Sequence, residues 1–408
     1  MSYITVSRSS ELTTFLRHLG GSPWVAFDTE FIAERKYQSQ LCLIQVAGEG
    51  LLGIIDPLSL DDLTPFWEFL CDAGREVFAH ACRSEIEFCF RAIRRVPERL
   101  FDVQLAAGFV VGDYPCSFGN LLENHLQMTI PKEETRTDWA RRPLSSRQIG
   151  YALNDVRYLQ PLAKKLKKKL SSLERSNWYQ EEMSAMLERL AQDFLAPHWR
   201  VLSGTNGLTR RELAIARELW LWRDETARRY NISANLLLRD DLLIELARRK
   251  SPDPKRISAI RGLQRKDMER NMAGISEAIQ RGLDCPEQEL PDVPERCKTP
   301  QYTQMVQLLY SGLAMLCRRN HIATGIVGTQ ADVRDLIAFR FGTLNGDTPK
   351  NHPPKLKTGW RATIVGDFLD QLLDGEIAIR IDKTDPNSPM QFVHFDVKEL
   401  MHNPEHEA

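Results

Sequence analysis

Read from its amino-acid sequence, the chain is an α/β protein. A mixed sheet flanked by helices occupies the N-terminal part, and two helical units follow. Three features carry that reading. Apolar strand-like runs and helix-like segments alternate through the first 170 residues, with a strand hairpin early and strand–helix alternation later. Residues 209 to 283 are helical in pattern throughout. An acidic, proline-rich linker, D-C-P-E-Q-E-L-P-D-V-P-E-R-C-K-T-P (284–300), then precedes a third, mostly helical stretch.

Taken in order, residues 10–18 predict a short helix with Ser10 as its N-cap. Residues 24–28, 41–46 and 51–55 predict strands, the last two joined by the hairpin signal G-E-G. Residues 63–73 predict a helix, and 76–78 a short buried strand leading into a helix that carries Glu85, Phe88 and Phe90. Residues 102–110 and 148–170 predict two further helices. Linker chemistry at 196–208 is followed by helices at 210–230, 240–248, 254–260 and 265–281. Residues 301–319, 329–339 and 359–374 predict helices of the third unit, with a strand at 377–381. The last dozen residues are polar and predict a frayed end.

At 408 residues the chain predicts two or three domains, and 42% hydrophobic residues are enough to build their cores. The N-terminus has no basic stretch leading into an apolar core, so no signal peptide is expected. No apolar run approaches the roughly 20 residues of a membrane helix. The eight cysteines are scattered without a C-x-x-C pair, which argues against zinc ribbons and predicts buried, reduced thiols in the cytoplasm. A monomer is expected. The net charge is −1, so no global positive field points to nucleic acid. Basic residues are nevertheless concentrated locally. Residues 210–281 hold 17 Lys and Arg against 11 Asp and Glu, and 164–169 reads K-K-L-K-K-K. Standing alone, each patch reads as a solvated helix face.

The stretch V-A-F-D-T-E-F (25–31) ends a strand-like run with Asp28 and Glu30 two positions apart. In a strand both project to one side. There they repel unless a cation lies between them; if the strand has already ended, both are simply solvated. Two more acids and a phenol fit the first case. In Q-I-G-Y-A-L-N-D-V-R-Y-L (148–159), Tyr151 and Asp155 share a helix face at i and i+4. In H-A-C-R-S-E (80–85), Glu85 stands on the first turn of a helix just past a strand. Carboxylates without His or Cys suit hard cations such as Mg²⁺. Two such ions stabilise both oxygens of an in-line phosphoryl displacement.

These three segments, in this order and spacing, resemble the exonuclease motifs of the DEDD 3′→5′ exonucleases, in the subgroup with a tyrosine in its third motif. More closely the chain resembles the ribonuclease D family. Y-Q-S-Q-L-C-L-I-Q-V (37–46), F-D-V-Q-L-A-A (101–107) and T-R-T-D-W-A-R-R-P-L-S-S-R-Q (135–148) carry that likeness. Residues 209–283 resemble the HRDC module that the family shares with RecQ-type helicases, and 301–381 its degenerate second copy. The resemblance implies a ribonuclease H-like exonuclease domain over 1–195, an HRDC domain over 209–283 and a second HRDC-like domain over 301–385. It implies Asp28, Glu30, Glu85 and Asp155 as ligands of two divalent ions, Mg²⁺ or Mn²⁺. It implies Tyr151 as the residue that orients the attacking water. It also implies an RNA substrate, among tRNA precursors and other small structured RNAs. One departure stands out: the family places an aspartate where this chain has Glu85. A catalytically impaired RNA-binding protein and a DNA exonuclease are the alternatives.

Other residues are weighed beside these. Asp102 is expected to cap the helix that it begins. Arg136 is expected either to contact a backbone phosphate or to pair with Asp138. His80 is expected to be a core histidine, and Trp220 a core residue with Leu213, Ala216 and Leu219. With an RNA substrate implied, Lys164, Lys165, Arg228 and Arg229 become candidate phosphate contacts.

Overall fold

The computed structural model describes residues 2–33, 36–130, 137–195, 199–205, 207–263, 269–293, 300–341, 353–381 and 390–394. A six-stranded mixed sheet forms from β1 (Ile4–Val6), β2 (Trp24–Ile32), β3 (Gln40–Gly48), β4 (Leu51–Ile55), β5 (Glu76–Ala79) and β6 (Leu100–Asp102), in the order β1-β4-β3-β2-β5-β6. β2, β3 and β4 run antiparallel in sequence, whereas β1 lies parallel to β4 and β5 parallel to β2. The hairpin expected at G-E-G closes through Glu49 and Gly50. Gly50 supplies the left-handed backbone, φ +68°, that the tight turn requires.

The expected strand at 24–28 continues to Ile32, so Asp28 and Glu30 both lie within it. Alternation along β2 decides what each side chain meets. Phe27 points into the core, edge-on to Phe66 and Trp67. Asp28 and Glu30 point the other way.

The N-terminal helices are α1 (Ser9–Leu19), α2 (Thr64–Leu70), α3 (Arg83–Ile93), α4 (Val103–Val110), α5 (Phe118–Leu126), α6 (Ser146–Arg157), α7 (Leu159–Ser172) and α8 (Ser176–Leu195). Ser10 is not the N-cap of α1: the helix begins one residue earlier and Arg8 takes that position. Asp102 does cap α4, its Oδ1 accepting from the backbone N–H groups of Gln104 and Leu105 at 2.8 and 3.2 Å. The single helix expected over 148–170 is two, broken at Tyr158. Pro161 explains the break, because its ring would clash with the Arg157 carbonyl of a continuous helix, while the first turn of α7 tolerates it.

Further along are α9 (Arg210–Tyr230), α10 (Ala234–Leu237), α11 (Asp240–Arg249), α12 (Pro254–Ser258) and α13 (Met272–Asp284). A reciprocal cap between Thr209 and Glu212 starts α9. Leu213, Ala216 and Leu219 pack with Leu243, Ile244, Ile275 and Ile279, and Trp220 covers this core as expected. At Gly282 a Cβ would lie 2.5 Å from the Ile215 Cα, so glycine lets α13 approach α9 closely. The C-terminal elements are α14 (Pro300–Arg319), α15 (Thr324–Val327), α16 (Gln330–Arg340), α17 (Gly359–Val365) and α18 (Phe368–Leu373), then strands β7 (Ile377–Ile381) and β8 (Met390–His394). The helix expected over 359–374 breaks at Gly366, whose φ of +50° leaves the helical region. The expected strand at Ile377–Ile381 forms and pairs antiparallel with β8, so this region is not wholly helical.

The chain gathers into two compact units, each assembled from separate stretches. One comprises residues 1–100, 131–157 and 185–294; the other comprises 101–130, 158–184 and 295–408. In the first, the sheet is buttressed by Arg142, which grips Asp56 through two hydrogen bonds of 2.8 and 2.7 Å. Arg142 also donates to the carbonyls of Cys42 and Trp139. In the second, Arg175 donates to the carbonyls of Phe109 and Asn320, each at 2.6 Å. A buried ion pair there joins Glu182 to Arg361, and the Trp178 and Trp360 rings stack 5.8 Å apart. The seven described cysteines are buried, as expected, with no disulfide among the described residues; Cys297 lies outside the described residues. Among the described residues no helix is long and apolar enough to cross a membrane.

Candidate active site

β2 delivers Asp28 and Glu30 to one side of the sheet, and α6 lies across β2 and β3 on that side. A β-bulge follows immediately, between Glu30 and Phe31. Such bulges re-aim side chains and end regular pairing. α6 is anchored at its start by a reciprocal cap. The Ser145 Oγ accepts from the Gln148 N–H at 3.1 Å, and the Gln148 Oε1 accepts from the Ser145 N–H at 2.9 Å. The Gln148 Nε2 also donates to the Thr137 hydroxyl and the Asp138 carbonyl, tying the incoming segment to the helix. One turn on, Tyr151 stands beside the buried Trp139, ring centres 6.2 Å apart. A further turn brings Asp155.

Carboxylate oxygens of Asp28, Glu30 and Asp155 lie within 4.8 Å of one another. Burial raises the proton affinity of all three. Asp28 is pushed well above the usual carboxylate range by burial and then by the charge of Asp155. Glu30 is pushed up to about 9 by burial and by the charges of Asp28, Asp155 and Glu85. Asp155 is likewise raised by burial, against the opposing effect of a hydrogen bond from the Tyr151 hydroxyl. Tyr151 is raised above its ordinary value by burial and by Asp155, Glu30 and Asp28, so its phenol stays protonated and donates to Asp155. The charges acting on Glu30 are all negative. Converging hard oxygen donors with no compensating positive charge among the described residues fit a divalent cation of the Mg²⁺ class.

Glu85 occupies a different place. It is 4% exposed, so it is no surface glutamate, yet it is not among the three clustered acids. Its Oε1 accepts from the Thr29 hydroxyl at 2.6 Å. Thr29 alternates with Asp28 and Glu30 along β2, so this bond draws Glu85 away from the side on which they project. Its charge still reaches Glu30. Ala81, at φ +54°, makes the turn that starts α3 and sets Glu85 on the first turn. Glu87 pairs with Arg91 on the same helix.

The remaining candidates are dispersed. Arg136 lies outside the described residues. His80 is half-buried at the end of β5 rather than in the core. Lys164 is exposed on α7, and Lys165 donates to the His125 carbonyl. Arg229 is exposed and paired with Glu225. Arg228 donates to Asp224 at 2.9 Å and to the Tyr37 hydroxyl at 3.3 Å, while Tyr37 donates to Asp224 at 2.7 Å. Arg228 and Asn231 line a cavity of about 430 Å³ with Lys36 and Tyr37 of the β2–β3 connection and Gln40, the first residue of β3. Arg142 and Gln148 are not among the residues that the sequence pattern singles out. An arginine before a proline and a glutamine three residues after a serine were the signals for them, the second being a capping-box pattern.

Comparison with known proteins gives the family and the fold. Residues 3–171 match a family model for 3′-5′ exonuclease, and residues 212–279 match one for the HRDC domain. The chain is 31% identical to ribonuclease D of Bartonella henselae over 91% of its own length and 90% of that protein. It is 27% identical to ribonuclease D of Escherichia coli over 91% and 99%. The crystal structure of the Escherichia coli enzyme, described as an exoribonuclease involved in structured RNA processing, superposes with a TM-score of 0.79 and covers 92% of this chain.

Proposed function

The chain belongs to the ribonuclease D family and is a 3′–5′ exoribonuclease, and from that premise we propose how its own residues carry the chemistry. The observation that supports the reading most is the trio Asp28, Glu30 and Asp155, three half-buried carboxylates within 4.8 Å. They hold the divalent cation on which the family depends, with two ions, Mg²⁺ or Mn²⁺, as the full complement. Glu85 assists at the edge of the cluster through its charge. Bound divalent cations supply positive charge where negative charge develops on the phosphate and on the departing oxygen.

Tyr151 orients the attacking water. Its hydroxyl hydrogen is committed to Asp155, which leaves its oxygen to accept from that water. With its phenol held protonated by burial and three acids, Tyr151 acts as an orienting group rather than as a base. The water oxygen bonds to the terminal phosphorus and the P–O3′ bond breaks. One water proton ends on the 3′ oxygen. The products are a nucleoside 5′-monophosphate and an RNA one residue shorter with a new 3′-hydroxyl.

The substrates are tRNA precursors and other small structured RNAs, trimmed from their 3′ ends. The crystallised relative's role in structured RNA processing supports this. Arg228 and the cavity beside it contact the RNA backbone, with Lys164, Lys165, Arg229 and Arg136 as further phosphate contacts. The functional divisions are an exonuclease domain over 1–195, an HRDC domain over 209–283 and a second HRDC-like domain over 301–385. The protein works in the cytoplasm as a monomer.

An RNA hairpin with a single-stranded 3′ tail, labelled at either end, tests the reading. Single 5′-mononucleotides released stepwise from the 3′ label, faster than from the matching DNA, are expected. Release from the 5′ end, or of oligonucleotides, would overturn it.

A further inference from the structure

β3 carries a buried run, C-L-I-Q-V-A (42–47), with one carboxamide in it: Gln45, fully buried. Neither its Nε2 nor its Oε1 has a hydrogen-bond partner among the described residues. An amide buried in that state costs stability, and an apolar side chain of the same length would serve the sheet better. The register shows what the amide faces. Across the antiparallel ladder Gln45 is the direct partner of Asp28, and on its other flank it meets Ile54. Its neighbours on the same face of β3 are Leu43, opposite Glu30, and Ala47, opposite Ala26. The polar groups nearest in register are therefore the two acids of β2, and α6 covers the same strands with Tyr151 and Asp155. Directly opposed residues hold their Cβ atoms about 4.5–5.5 Å apart, within the reach of a carboxamide.

We propose that Gln45 is a positioning residue for the metal centre, its Nε2–H group hydrogen-bonding the Asp28 carboxylate, directly or through one water, when a divalent cation is held there. The inference rests on the reading of Asp28, Glu30 and Asp155 as the cation site. A carboxylate that gives one lone pair to a cation keeps others that need donors. Partners behind a ligand fix its orientation and tune affinity, and removing one costs about 10–100-fold in metal affinity or activity. Gln45 is placed to be that partner, and the cost of its burial is offset only in the cation-bound state.

Calorimetric titration of the full-length protein with Mn²⁺ tests this, alongside the thermal midpoint of the ion-free protein. Gln45→Met is expected to bind Mn²⁺ about ten-fold more weakly while its ion-free midpoint rises. In RNA hydrolysis its kcat falls with little change in KM. Wild-type affinity for Mn²⁺ in Gln45→Met would overturn the proposal, because the amide would then be buried without a role. If Gln45→Met does not fold, Gln45→Leu decides. Its branched apolar side chain keeps the bulk but carries no donor for Asp28, so weakened binding supports the proposal and unchanged binding overturns it. Asp28→Asn separates the two levels of the claim. If it binds Mn²⁺ as well as the wild type does, the reading of the cluster fails, whereas unchanged affinity in the Gln45 variants alone removes only the role of the amide.

Discussion

Asp28, Glu30 and Asp155 place three like charges where water is scarce, and that one fact has consequences for stability, cation binding and catalysis. Their folded-state proton affinities are raised, Glu30 to about 9, above the roughly 4 of an unfolded carboxyl. The folded chain therefore holds protons that the unfolded chain releases. Without cations, stability should fall as pH rises from about 4 to about 9. Saturating Mg²⁺ should remove most of that fall, and its binding near neutral pH should release protons, seen as a heat that depends on the buffer's ionisation enthalpy. Denaturation midpoints across pH, with and without Mg²⁺, check both. Thr29→Val should cost about 1–3 kcal/mol, because it strips the buried Glu85 of a hydrogen-bond partner; urea unfolding reads it directly. The shared side of Asp28 and Glu30 was legible in the sequence, since strand alternation is strict. The place of Glu85 was not. Its extra methylene and the neighbouring Thr29 hydroxyl meet only in three dimensions, 56 residues apart in sequence.

At the scale of elements, α6 works as a bracket. Its cap at Ser145 and Gln148 fixes where Tyr151 and Asp155 emerge, and Pro161 prevents α7 from extending it. Ser145→Ala should destabilise the protein by about 1 kcal/mol. By loosening that start it should also lower kcat more than it raises KM, in unfolding and steady-state assays of the same preparation. The cap pattern was visible as S-S-R-Q, and the break was visible as a proline. The expectation of one helix over 148–170 failed because apolar spacing runs on past Tyr158, while the ring of Pro161 acts four residues back. β1 and β6, at three residues each, are too short to show alternation and form through their neighbours in the sheet.

For the whole molecule, the sequence marked boundaries where composition changes, at 196–208 and 284–300. The compact units follow contacts instead, and contacts such as Arg175 to Asn320 join residues far apart in sequence. A linear reading sees linkers but not which helices share a core. The basic surplus of 210–281 is likewise only a tally, and of its residues Arg228 lines the cavity beside Tyr37. Arg228→Gln should weaken RNA binding several-fold. It should also reduce the slope of log affinity against log salt by about 0.7, the loss of one single-strand phosphate contact, in titrations from 50 to 200 mM salt. The central claim, that one half-buried acidic cluster makes this chain a 3′–5′ exoribonuclease, is tested most directly by Asp28→Asn. Mononucleotide release from a 3′-tailed RNA hairpin in Mg²⁺ should fall more than about 100-fold, with RNA affinity preserved. Release at the wild-type rate from a folded Asp28→Asn protein would contradict the account.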